Sequence, residues 1–201
     1  MAKKLTQKAI ARQNKIKAVA LECFLEKGYE DTSLNEIIKK SGGSFSSIYT
    51  YFESKEGLLL EVLSDEIKRH FDFFKNLEND TATDLRDFLL HFSQIFLKKF
   101  NDYTTIALAR IIHSQIYNLQ GMMKEWFKVN QDFFADTIVI KRFKREKNPY
   151  LKENAEQLGT LFCTLIKAPF ESCVFGNTTM SEQEQQKHIE FCVDFFLKKL
   201  V

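Results

Sequence analysis

Residues able to do covalent or metal chemistry are few and scattered in this chain. Cys23, Cys163, Cys173 and Cys192 lack the Cys-x-x-Cys spacing of a redox or zinc pair, and His70, His91, His113 and His188 form no metal-ligand pattern. There is no Gly-x-Ser-x-Gly elbow, no His-Glu-x-x-His and no glycine-rich phosphate loop, and the 201 residues include only seven glycines. This predicts no enzyme, no cofactor and no metal site. What remains is recognition chemistry in two places. One is a run of hydroxyls and aromatics, S-G-G-S-F-S-S-I-Y-T-Y-F, from Ser41 to Phe52. The other is Lys167, a cation inside the apolar stretch L-I-K-A-P-F. If buried, it needs an anionic partner, which a ligand could supply; the plain alternative is a lysine snorkelling to the surface or paired with a glutamate.

The first run demands two short helices. Ser33 and Glu36 make a Ser-x-x-Glu capping box, and Leu34, Ile37 and Ile38 give the helix that follows one apolar face. Gly42 and Gly43 stop it. Ser44 can cap a second helix with Phe45, Ile48, Tyr49 and Phe52 at i, i+3, i+4 and i+7, while Ser46, Ser47 and Thr50 point elsewhere. Two short helices joined by a glycine turn are the helix-turn-helix pattern, whose second helix is sized for a major groove.

That stretch, preceded by F-L-E-K-G-Y-E-D-T-S-L-N-E-I and followed by S-K-E-G-L, resembles the N-terminal DNA-binding domain of TetR/AcrR-family transcriptional repressors over about residues 10 to 63. The resemblance implies that Gly42 makes the turn, Ser44 opens the recognition helix, Ile48 and Phe52 anchor it, and Tyr49 and Lys55 contact phosphates. Ser33, Ser44, Phe45, Ser46, Ser47, Tyr49, Thr50, Tyr51 and Lys55 form the candidate DNA-facing set. Three places depart from the family: it often has an aliphatic residue at Gly43, lysine at Phe45, and a tyrosine-histidine pair at Thr50 and Tyr51. Gly43 predicts a recognition helix that orders on binding DNA. Phe45 either turns inward to fill the space Gly43 vacates, the favoured reading, or turns outward onto thymine methyls.

The net charge of +2 excludes a globally basic surface, so affinity for nucleic acid must come from local asymmetry. Lys3, Lys4, Lys8, Arg12, Lys15 and Lys17 supply it, with no acidic residue in the first twenty-one positions. The cysteine usage predicts a reducing cytosol. With no signal-like segment and no apolar run near twenty residues, a cytoplasmic protein that contacts no membrane is expected.

Periodicity predicts an all-α fold of about nine helices, and the resemblance implies its division into a helix-turn-helix domain at 1–57 and a larger ligand-binding and dimerisation domain at 58–201. The first helix runs from about Thr6 to Lys27. A fourth, capped by Ser54, carries Leu59, Leu63, Ile67, Phe71 and Phe74 and joins the domains rigidly. A sixth ends near Tyr117, a turn covers Asn118 to Gly121, and a long seventh holds Met122 to Phe143. Its basic end, Lys141 to Lys147, suits a helix C-terminus better than a second nucleic-acid patch. An eighth, about Leu151 to Val174, is kinked at Pro169 and ended by Gly176 and Asn177, and a ninth starts at Ser181 and carries a stripe through Leu200.

Twenty phenylalanines exceed what a core needs. Phe92, Phe96, Phe100, His113, Trp126, Phe133, Phe134, Lys167 and Phe170 are the candidate walls of a pocket for a hydrophobic or amphipathic inducer, although aromatics at helical spacing are often plain core. The resemblance further implies a homodimer formed through the last two helices, double-stranded operator DNA as partner, and release of that DNA by ligand. The run S-G-G-S-F-S-S-I-Y with Lys167 and Pro169 also resembles the branch that controls multidrug efflux and senses amphipathic anions. Regulation of fatty-acid or other metabolic genes, a binding protein with a vestigial reading head, and a redox switch at Cys163 or Cys173 are the alternatives.

Overall fold

A computed structural model of the chain describes residues 6–80, 82–176 and 178–198. Among the described residues there are thirteen α-helices, one 3-10 turn and no strand. In chain order they are α1 (Gln7–Lys27), α2 (Leu34–Ser41), α3 (Phe45–Phe52), α4 (Lys55–Asp72), α5 (Lys75–Glu78), α6 (Leu85–Phe100), α7 (Tyr103–Ser114), α8 (Ile116–Asn130), α9 (Asp136–Arg145), α10 (Pro149–Glu153), α11 (Ala155–Lys167), α12 (Phe170–Gly176) and α13 (Glu182–Lys198). The 3-10 turn, Gln131–Phe133, separates α8 from α9. No single described helix is long and apolar enough to cross a membrane.

The helices divide between two compact units. The first comprises the chain up to Glu66 together with Ile111–Trp126, and the second comprises Ile67–Arg110 with the chain from Phe127 onward.

In the first unit, side chains near the helix ends fix the boundaries. Thr6 accepts the Ala9 N–H and Ser33 accepts the Glu36 N–H, each satisfying a donor that the helix leaves unpaired. Gly42 closes α2 with φ 70°, in the left-handed region, and its N–H returns to the Ile38 carbonyl. Between α3 and α4, Ser54 accepts the Gly57 N–H at 3.1 Å. A Cβ at Gly57 would stand 1.9 Å from the Phe52 carbonyl oxygen, so this tight junction accepts only glycine. Ile16, Ala20, Cys23 and Phe24 of α1 are buried, as are Ile37, Ile48, Phe52, Leu58 and Leu59. The returning segment is tied in by polar contacts. The Trp126 indole N–H faces the Leu60 carbonyl at 3.0 Å and Ser64 Oγ at 2.9 Å, and the Gln115 amide donates to the Glu30 carboxylate.

The second unit is built around phenylalanines. Phe88, Phe92 and Phe96 stack along α6, and Phe92 also meets Phe74 and Phe162, while Phe196 of α13 packs on Phe143 and Phe162. Arg142 is buried but satisfied. Its guanidinium donates to the Thr83 carbonyl at 2.6 Å and the Glu146 carboxylate at 2.6 Å, and lies over the Phe88 ring. Asp84 caps α6, Asn148 caps α10, and Ser181 and Glu184 cap α13 reciprocally.

Several expectations need correction. The count of nine helices is too low, because α5 and α10 are single short turns and two long periodic stretches are broken. The supposed seventh helix is α8, the 3-10 turn and α9, interrupted where Phe134 takes extended backbone. Its apolar period continues across the break, which is why pattern alone joined the pieces. The supposed eighth is α10, α11 and α12, with a bend of 42° between the last two at Pro169, as a ring without an N–H requires. The turn placed at Asn118–Gly121 lies inside α8. The chain breaks instead at Gln115, whose side chain receives the Asn118 amide, while Gly121 faces open space. The Ser33 box is only half formed, because the Glu36 carboxylate binds Lys27 and Lys40. The basic run at the end of α9 is internally committed, Lys141 to Glu78, Lys144 to Glu156 and Arg145 to the Glu78 carbonyl. The readings that touched Lys3, Lys4, Asn177 and Leu200 lie outside the described residues.

Candidate nucleic-acid interface and aromatic cavity

In the first unit, α3 has one anchored face and one open face. Ile48 and Phe52 are buried, while Ser46 and Thr50 are exposed, with Phe45 45% and Tyr49 56% accessible. Ser47 and Tyr51 are half-buried, the Tyr51 ring lying edge-on to Phe52. Ser44 is spent on the cap. Its Oγ accepts the Ser47 N–H at 3.2 Å and lies 2.9 Å from Ser47 Oγ. The favoured inward placement of Phe45 is therefore corrected. The space beside Gly43 is already filled, since a Cβ there would meet Ile16 Cδ1 at 3.6 Å and Ser41 Oγ at 3.2 Å.

The basic residues around α3 divide into free and tied groups. Lys8 and Lys15 are exposed. Arg12 donates to the Gly42 carbonyl at 3.3 Å, fastening α1 to the turn before α3. Lys17 pairs with Asp65 at 2.6 Å. Lys55 Nζ lies over the Tyr29 ring, 4.2 Å from its centroid, and burial holds its pKa below the ordinary lysine value despite Glu30 and Glu56 nearby.

The second unit contains a cavity of about 230 Å³. Phe71, Phe74, Phe96, Phe100, Phe133 and Phe134 make its apolar wall. Polar groups enter from α4, α6, α9 and α11: His70, Lys99, Asp136, Thr160, Cys163, Thr164 and Lys167. Burial pushes the Asp136 carboxyl above the usual carboxylate range, against the opposing pull of helix N–H groups, the Lys167 ammonium and the Thr160 hydroxyl. Burial also lowers the His70 pKa, and the Lys99 and Arg69 charges lower it further. The Cys163 thiol is pushed up by burial and by the Asp136 charge, which disfavours the thiolate a redox switch would need.

Of the nine proposed wall residues, the cavity brings together Phe96, Phe100, Phe133, Phe134 and Lys167. Phe92 is plain core, enclosed by neighbouring rings. Phe170 packs edge-on behind Phe100 at 4.7 Å. Trp126 is buried in the first unit, and His113 is exposed there. Lys167 is an exposed residue at the cavity lining, with Asp136 near it. Sequence reasoning missed His70, Lys99 and Asp136. Asp136 carried a signal, as a lone carboxylate between F-F-A and T-I-V-I, whereas His70 and Lys99 look like ordinary helix-surface residues.

Residues 16–62 match the family model described as bacterial regulatory proteins, tetR family. The HTH-type transcriptional regulator QacR of Staphylococcus aureus is 34% identical over 79 residues, a match spanning 39% of this chain and 42% of that protein. The biofilm operon icaADBC negative transcriptional regulator IcaR of Staphylococcus aureus is 24% identical over 200 residues, covering 93% of this chain and all of the relative. A TetR-family regulator structure from Mesorhizobium loti superposes with a TM-score of 0.80 at 22% identity, over 97% of this chain and 98% of that one, a likeness of fold. These matches support a regulator of the TetR family.

The TetR match of 16–62 takes in every residue of the candidate DNA-facing set, from Ser33 to Lys55, and none of the cavity residues. TetR-type relatives are transcriptional regulators rather than enzymes.

Proposed function

We propose that this chain is a TetR-type transcriptional repressor, acting as a cytoplasmic homodimer on a near-palindromic operator. The observation that carries the reading is α3 itself: eight residues capped by Ser44, anchored by Ile48 and Phe52, and presenting Phe45, Ser46, Tyr49 and Thr50 to solvent. Such a face suits a major groove, and Lys8 and Lys15 supply charge for the adjoining phosphates. Pairing is supported by exposed apolar side chains on the adjoining helices α11 and α13, Leu161, Phe191 and Phe195, two of which stack on each other in the open. Each subunit then contributes one α3 to successive major grooves.

The inducer we propose is a small amphipathic molecule held in the second unit's cavity. Its apolar body rests on Phe96, Phe100, Phe133 and Phe134, and its polar head lies among Thr160, Thr164, Lys167 and Asp136. An anionic head suits Lys167 and Lys99. Occupancy favours a conformation of low operator affinity, which requires ligand and DNA to oppose each other reciprocally. Multidrug efflux is the regulated system carried by the sequence resemblance, with fatty-acid or other metabolic genes as the alternative.

Fluorescence anisotropy with DNA from the protein's own upstream region tests the reading. Specific binding should exceed that of scrambled DNA by at least about a thousandfold at physiological salt. Decanoate, deoxycholate and a cationic dye are the ligand probes. A probe that binds by calorimetry should weaken the operator complex, and the operator should weaken the probe by the same factor. Salt-sensitive binding blind to sequence would instead leave a small-molecule binding protein with a vestigial reading head.

A further inference from the structure

The open face of α3 is chemically unusual for a surface that reads bases. From Phe45 to Phe52 the helix reads F-S-S-I-Y-T-Y-F, without one arginine, lysine, asparagine or glutamine. Those are the side chains that pair bidentately with guanine or adenine edges, so that mode of discrimination is closed to this helix. Its hydroxyls are partly committed as well, since Ser44 and Ser47 bond to each other and to the cap. Phe45 occupies the first helical position, at the end of a reading helix that meets base edges. Phe45 is 45% exposed, and the space beside Gly43 into which its ring could have turned is taken by Ile16 and Ser41. In the major groove only thymine offers an apolar group, its 5-methyl, that such a ring can bury.

We infer that Phe45 sets operator specificity by packing on thymine methyl groups, so that recognition depends on the methyl and not on a base-edge hydrogen bond at that position. The inference rests on the DNA-binding reading above and adds what the helix reads.

The test uses the full-length protein and two random-sequence duplex pools, one synthesised with thymine and one with uracil, which pairs identically and lacks only the methyl. Sites selected from the thymine pool should share a thymine in each half-site. Replacing that thymine by deoxyuridine should weaken binding about fourfold per methyl, the equivalent of about 0.8 kcal/mol for one buried carbon, and about fifteenfold when both half-sites are changed. Phe45→Ala should bind the thymine and uracil forms equally. The uracil substitution reads the wild type directly, so it stands even if the variant folds poorly. Equal wild-type affinity for the two forms of a selected site would overturn the inference and leave the DNA-binding reading intact. No enriched sequence from either pool would overturn both.

Discussion

His70 shows how burial turns an ordinary side chain into a reporter. Its pKa is lowered by burial and then by Lys99 and Arg69, so between that lowered value and the ordinary 6.5 the unfolded chain binds more protons than the folded one. Stability should therefore rise with pH across that window and level off above it. Thermal melts between pH 5 and 8 should show this slope, and His70→Gln should flatten it; an unchanged slope would place the titration elsewhere. At this scale the sequence was partly readable. Ser44, Ile48 and Phe52 declare their roles through spacing, because a cap and two anchors are local requirements. His70 and Lys99 do not, since what makes them cavity residues is the arrival of α9 and α11 from more than thirty positions away. Trp126 misled for the same reason, a large aromatic whose partners, Leu60 and Ser64, lie in the first unit.

At the level of elements, α9 and α11 meet at one close approach. A Cβ on Gly159 would fall 2.5 Å from Ile140 Cγ1, so backbone and side chain interlock there. Gly159→Ala should destabilise the protein by about 1–3 kcal/mol through overpacking. Combined with Ile140→Ala, which removes the clashing carbon, it should cost less than the two single changes added together, a coupling that denaturant melts of all four species would measure. Additive costs would mean that the helices separate freely. Helix existence was legible almost everywhere, because apolar periodicity is strong. Helix starts were legible where a serine cap marks them, as at Ser33 and Ser44. The break between α8 and α9 was hidden, since tertiary packing and not a local signal interrupts a continuous apolar period.

For the molecule as a whole, the net charge of +2 leaves little to long-range attraction, so under the proposed function association with DNA should depend on presenting two α3 helices together. Phe191 is 68% exposed and Phe195 47%, on a helix whose opposite face is core. Phe191→Glu with Phe195→Glu should convert the proposed dimer to monomer by sedimentation without lowering the melting temperature of the isolated chain. Operator affinity should fall about thirtyfold or more, the loss expected when an aromatic contact worth about 2 kcal/mol is removed from an interface. A dimer that persists would move the interface elsewhere. Fold class was plain from the sequence, but the extent of each unit was not, since nothing in a linear pattern says that Ile111–Trp126 returns to the first unit.

That return governs how the gene can be cut and recombined. A transcript stopped after Glu66 would encode α1 to α3 and the first part of α4 without the indole that donates to the Leu60 carbonyl or the amide that meets Glu30. Such a fragment lacks part of its own unit, so a nonsense mutation there should not leave behind a folded first unit. Likewise, a chimaera that exchanges the first unit between relatives needs two crossovers, one on each side of 111–126, as well as the one after Glu66.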